Sequence, residues 1–121
     1  MPIKKILVVD DSPTERQFML ETLSKMGYQV VLAENGEEGV TKARAELPEL
    51  VLMDVVMPGS NGFQATRQIA KDDATKHIPV IICTTKSQET DRIWGMRQGA
   101  RDYIVKPVDV AVLAAKIAAL G

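Results

Sequence analysis

Three runs of purely apolar side chains, Ile6-Leu7-Val8-Val9, Leu50-Val51-Leu52-Met53 and Val80-Ile81-Ile82-Cys83, constrain this chain more than any other feature. A strand with one wet face alternates polar and apolar residues, whereas an unbroken apolar run is covered on both faces, as in a parallel sheet between two layers of helices. Tyr28 to Ala33 and Tyr103 to Val105 read as two further strands. Helix start signals lie between the runs. Ser12-Pro13-Thr14-Glu15 offers a cap, a proline at the first helical position and a capping-box glutamate, and Asn35 with Glu38 and Asn61 with Gln64 repeat the box. Gly27 and Gly99 are placed to stop helices, and the spacing of Val110, Leu113, Ile117 and Leu120 predicts a strongly amphipathic last helix. This alternation runs through five units without linker, low-complexity segment or repeat. It implies right-handed crossovers and an α/β, doubly wound, five-stranded parallel sheet with five helices.

With 121 residues, 45% of them hydrophobic, the chain is long enough for one domain over residues 1–121 and short for two. The expectation is a domain with no output module attached. Fifteen basic and sixteen acidic side chains leave a net charge of -1, and no block of like charge invites a nucleic-acid backbone or an anionic membrane. The single cysteine, Cys83, sits in an apolar run, so no disulfide framework or thiolate metal site is expected and a reducing cytoplasm fits. The N-terminal ILVV is cut off by two aspartates and lacks a cleavage site, unlike a signal peptide. No apolar stretch approaches the roughly 20 residues of a membrane-spanning helix.

In doubly wound sheets ligands collect beyond the carboxyl ends of the strands. Those ends carry Asp10 and Asp11 after the first run, Asp54 after the third strand, Thr84 and Thr85 after the fourth, and Lys106-Pro107 after the fifth. Polar residues end strands for no better reason than that loops are wet, so any one position says little. The set says more. Three carboxylates at one rim raise one another's pKa unless a cation sits among them. Oxygen-only donors favour Mg²⁺ or Mn²⁺ over zinc. A carboxylate beside a metal and opposite a lysine is what phosphoryl transfer needs, because the protein mainly positions the group and neutralises its charge. Asp54 is the best nucleophile candidate, and a threonine hydroxyl from the next strand could bond a phosphoryl oxygen.

The motifs VVDDS, VLMDVVMPGSNG, CTT and YIVKPVD together resemble the receiver domains of bacterial two-component response regulators, over about Ile6 to Leu120. The resemblance implies a flavodoxin-like fold with strand order 2-1-3-4-5. It implies Asp54 as phosphoacceptor, Asp11 as a direct Mg²⁺ ligand, Asp10 holding the metal through water, and the Val56 backbone carbonyl as another ligand. Lys106 is similar to the family's phosphate-contacting lysine, with a cis bond to Pro107. Thr84 is similar to the switch hydroxyl, and Tyr103 to the aromatic that turns inward with it. The implied partners are a histidine kinase, CheA-like or other, and a protein target met through helix 4, strand 5 and helix 5, where Arg92 and Met96 share a helix face. The chain would be a monomer that could dimerise on phosphorylation, and it would catalyse only its own phosphotransfer and dephosphorylation. The stretches GFQATRQ, RQGARDY and KPVD resemble the stand-alone receivers of chemosensory systems controlling type IV pili and twitching motility, the PilH-like group.

Two positions depart from the family's commoner polar choices: Val56, two beyond the acceptor, and Lys86, two beyond the switch threonine. Both lie near the path of a hydrolytic water, so slowed or altered autodephosphorylation is expected. Met57-Pro58 and Gly62 read as loop-shaping residues, His77 as a surface residue and Cys83 as inert core. Trp94 reads equally well as core filling or as an exposed anchor. A chain of this kind could also drain phosphate from a shared kinase. A haloacid-dehalogenase-like phosphatase also uses an aspartate nucleophile and Mg²⁺, but normally in a D-x-D pattern after the first strand. A flavin site is disfavoured by negative charge in DDSPT, where a phosphate needs donors.

Overall fold

The apolar runs become the strands of one parallel sheet. In the computed structural model, which describes residues 2–57 and 60–120, these are β1 (Lys5–Val9), β2 (Gln29–Ala33), β3 (Leu50–Met53), β4 (Val80–Thr84) and β5 (Asp102–Val105). They lie in the order β2-β1-β3-β4-β5, every pairing parallel. The intervening helices are α1 (Pro13–Lys25), α2 (Gly36–Glu46), α3 (Gly62–Lys71), α4 (Glu89–Arg97) and α5 (Val110–Leu120). A two-residue antiparallel ladder joins Val56–Met57 to Ser60–Asn61. The expected Pro58 loop position lies outside the described residues.

The two-residue period of a strand sends alternate side chains to opposite faces. Ile6 and Val8 join Leu50, Leu52 and Ile81 against Met19 and Leu23 of α1 and Leu113 and Ile117 of α5. Leu7 and Val9 join Val51, Met53 and Val80 against Ala43 of α2 and Ala65 and Ile69 of α3. That division explains the absence of alternation in the runs. A third cluster, Val55, Ile82, Ala100 and Tyr103 with Phe63 packed on it, lies between the sheet and α4.

The caps form as expected, with changes in detail. Ser12, Asn35 and Asn61 each accept a hydrogen bond from the backbone N–H three residues on. The reciprocal half of the box differs: Glu38 accepts from the Glu34 N–H, and the Ser12 N–H donates to Asp10 Oδ1 in place of Glu15. Gly27 and Gly99 have φ of +95° and +107°, the left-handed geometry that ends α1 and α4. The prediction for α5 needs correcting. Leu113 and Ile117 are buried and Leu120 packs against the core, but Val110 and Val112 are exposed, and Lys116 is the one charged residue on the helix. The outer side is mostly alanine and valine, so α5 lacks the polar face that strong amphipathicity requires.

Candidate functional site

Register brings the acidic residues together. Val9 pairs with Met53 in the β1–β3 ladder, so Asp10 and Asp54 leave adjacent strands side by side. The backbone N–H of Asp10 donates to Ala33 O and that of Asp54 to Val9 O, both at 3.0 Å, which extends the ladder to the site. Thr84 pairs with Val105, and the Lys106 N–H donates to Thr84 O at 2.8 Å, fixing where the lysine starts.

Asp10, Asp11 and Asp54 each present a carboxylate oxygen within 4.8 Å of the others. Asp10 and Asp54 are buried, while Asp11 is exposed at the mouth. The Lys106 ammonium donates to Asp10 Oδ2 at 2.6 Å and to Asp54 Oδ2 at 3.3 Å, with all three side chains largely shielded from water. Burial works against the charged lysine, but hydrogen bonding to Asp10 and the charges of Asp54, Asp10 and Glu15 outweigh it and hold its pKa above the ordinary value. Burial pushes the Asp54 carboxyl up; a hydrogen bond from the Val56 N–H and the Lys106 charge only partly oppose this, and the Asp10 charge adds to it. Mutual repulsion among the carboxylates was the expected cause, yet desolvation comes first.

The donor set suits a hard divalent cation: three carboxylates, no nitrogen or sulfur ligand, and an open side at Asp11. Among the described residues, no helix is long and apolar enough to cross a membrane.

The other expected residues fall around this centre. Thr84 is buried, and its hydroxyl accepts from the Lys86 N–H at 3.4 Å. Tyr103 is packed inward, its hydroxyl donating to Lys86 O at 2.8 Å. Val56 exposes its side chain at the rim. The Lys86 ammonium is 3.9 Å from Asp91 on α4, so it leans along that helix. Arg92 and Met96 are exposed and line one groove on α4. Trp94 is 50% exposed, which excludes the core-filling alternative. Cys83 is buried and its thiol is pushed up to about 12, mainly by desolvation, in keeping with an inert role. His77 is exposed, as expected.

Two residues beside the site escaped sequence reasoning. Arg16 donates to the Asp10 carbonyl at 2.8 Å and to Glu34 at 3.3 Å, bracing the end of β1. Glu15 puts a carboxylate 3.9 Å from the Lys106 ammonium. Both belong to the first turn of α1; the Ser12-Pro13 start locates that turn but does not say which way it faces.

The chain belongs to the response regulator receiver domain family, whose model matches residues 6–118. Receiver domains accept phosphoryl groups from histidine kinases in two-component signalling. Among curated proteins the chain is 63% identical to Protein PilH of Pseudomonas aeruginosa over 109 residues, 90% of either chain. Among solved structures it is similar to the chemotaxis protein CheY4 of Vibrio cholerae, with a TM-score of 0.91 at 29% identity over 98% of this chain and 99% of that one. It is also similar to the receiver domain of the sensor histidine kinase PA1611 from Pseudomonas aeruginosa, with a TM-score of 0.89 at 29% identity over 97% and 96% of the two chains. That receiver's structure holds a magnesium ion coordinated in the active site cleft.

Proposed function

We propose that this receiver takes a phosphoryl group from a histidine kinase onto an oxygen of Asp54 and signals by changing its protein contacts. The observation that carries this is the buried pair of carboxylates, Asp10 and Asp54, bridged by the Lys106 ammonium, with Asp11 at the mouth. The Asp54 carboxylate forms the new bond to phosphorus as the donor's phosphorus–nitrogen bond breaks, and Lys106 neutralises charge on the phosphoryl oxygens. Asp10, Asp11, Asp54 and the Val56 carbonyl would hold Mg²⁺ or Mn²⁺, which supplies further neutralisation of those oxygens. The Thr84 hydroxyl, which accepts weakly from the Lys86 N–H, would donate its own proton to a phosphoryl oxygen in a charge-assisted bond.

Output would pass through α4, β5 and α5, with Arg92, Met96 and Tyr103 on or beside that surface. The likeness to PilH supports a place in pilus or chemotaxis-like control. In this reading the chain acts on no separate substrate: it catalyses phosphotransfer to itself and its own dephosphorylation. Titration with Mg²⁺ should give saturable binding that Asp11→Ala weakens by at least tenfold, about 1.4 kcal/mol. A phosphate ester turned over equally by the parent and by Asp54→Ala would instead place the chemistry elsewhere.

A further inference from the structure

Eight of the fifteen lysines and arginines have a carboxylate within 4.0 Å among the described residues. Of the other seven, five lie on α3, α4 or the turn after α4: Arg67, Lys71, Arg92, Arg97 and Arg101. Residues 62–71 and 92–101 contain these five cations and no acidic residue, in a chain whose net charge is -1. The neutrality of the whole molecule therefore conceals a basic flank.

That flank carries a groove. Between α3 and α4 lies a cavity of about 350 Å³ lined by Asn61, Phe63, Gln64, Arg67, Trp94 and Gln98. At 100° per residue, Trp94 and Gln98 project from the side of α4 toward α3, while Arg92, Met96 and Arg97 line a different groove on the far side of the helix. The groove is thus separate from the α4, β5 and α5 surface. Its apolar lining is half-exposed Trp94 and partly buried Phe63, and Phe63 also packs on the cluster of Val55, Ile82 and Tyr103. An exposed aromatic beside an unpaired arginine is the composition of a binding hot spot rather than of ordinary surface.

We propose that the α3–α4 groove is a second docking surface, and that its occupant is an acidic segment of a partner protein carrying one large apolar anchor residue. The anchor fills the space beside Trp94 and Phe63, and the flanking carboxylates meet Arg67 in the groove wall and Lys71 one turn further along α3. Charge complementarity selects the acidic partner. The volume and the aromatic lining select a side chain over a nucleic-acid strand. Asp54 does not line this groove, so binding there is independent of phosphoryl chemistry at that residue.

The test uses the full chain labelled with ¹⁵N and a panel of nine-residue peptides. Each has glutamates or aspartates around a central Leu, Phe or Trp; controls have lysine flanks or a central alanine, and oligouridylate serves as the nucleic-acid arm. The expected result is movement of amide resonances of residues 61–68 and 94–98 by acidic, anchored peptides, which bind at least about tenfold tighter than either control. Arg67→Glu and Trp94→Ala should each weaken binding about tenfold, whereas Arg92→Glu, on the other side of α4, should change it less than about twofold. All three substituted positions are exposed, so the variants fold. No shift at millimolar peptide, equal binding of the lysine-flanked controls, shifts confined to the Arg92 and Met96 side, or stronger binding of oligouridylate would each overturn the proposal.

Discussion

Replacing Gly62 by alanine tests how the active loop is held. Gly62 opens α3 directly after the loop that follows Asp54, and its φ is not positive, so its need for glycine is one of space. A Cβ there would lie 2.2 Å from Asp54 O, 2.6 Å from Val55 Cα and 3.0 Å from the Asp54 carbonyl carbon. All three are backbone atoms. Restoring an ordinary carbon–oxygen contact would need roughly 1 Å of movement in the Asp54–Val55 peptide plane, directly after the one that the Asp54 N–H ties to β1, and overpacking of this kind costs about 3 kcal/mol. The better helix propensity of alanine returns less than about 1 kcal/mol. Gly27→Ala is the control: its φ is +95° with nothing within 4 Å of the added Cβ, so it carries only left-handed strain, about 1 kcal/mol. Urea unfolding should rank Gly62→Ala well below Gly27→Ala, with a melting temperature about 10 °C under the parent. Mg²⁺ affinity should fall as well, because the displaced atoms carry Asp54. If Gly62→Ala unfolds within about 0.5 kcal/mol of the parent, the close packing beneath Asp54 is not what holds the loop.

Lys106→Ala leaves two buried carboxylates without their cation and should cost about 3 kcal/mol in metal-free buffer, a deficit that shrinks as Mg²⁺ is added; a deficit unchanged by Mg²⁺ would argue against a shared site. Val56→Asn gives the rim a donor for a hydrolytic water and should raise the dephosphorylation rate by about fivefold, the worth of one hydrogen bond of about 1 kcal/mol, whereas hydrolysis at the parent rate would remove Val56 as a determinant. Glu49 accepts from the N–H groups of Lys5 and Lys4, at 2.7 and 2.9 Å, and the Lys5 hydrogen bond leads in pulling its pKa below the usual 4.5. Its contribution is therefore present above pH 4.5 and lost as pH falls through the lowered value. Glu49→Gln should accordingly be less stable than the parent at pH 7 and lose that difference in acid, as read from denaturation midpoints.

The sheet could be read from the sequence because burial on both faces leaves an unmistakable mark: Leu50–Met53 and Val80–Cys83 contain nothing but apolar side chains on either face. The carboxylates could be read for a related reason, since each ends such a run and parallel register must bring the ends together. α5 was misjudged because spacing reports which residues can face inward, and Leu113 and Ile117 do, but it does not report that the outer face is also apolar. Trp94 stayed undecided because a single aromatic on a nine-residue helix fits either face until α3 is in place beside it. Arg16 and Glu15 were missed because they reach the site from the first turn of α1, and no local pattern records the direction in which a helix leaves a strand. The basic flank was invisible for a simpler reason: its cations come from two helices, and balancing acids elsewhere hide them in the net charge.

Phosphoryl transfer to Asp54 is tested most directly by mass spectrometry. The parent chain is treated with Mg²⁺ and acetyl phosphate, and the adduct is located by peptide mapping after borohydride trapping of the acyl phosphate. The expected result is a single phosphoryl group on Asp54, dependent on Mg²⁺, lost in Asp54→Ala and much reduced in Lys106→Ala. No adduct on the parent protein, or one on Asp10 or Asp11 with Asp54 intact, would contradict it.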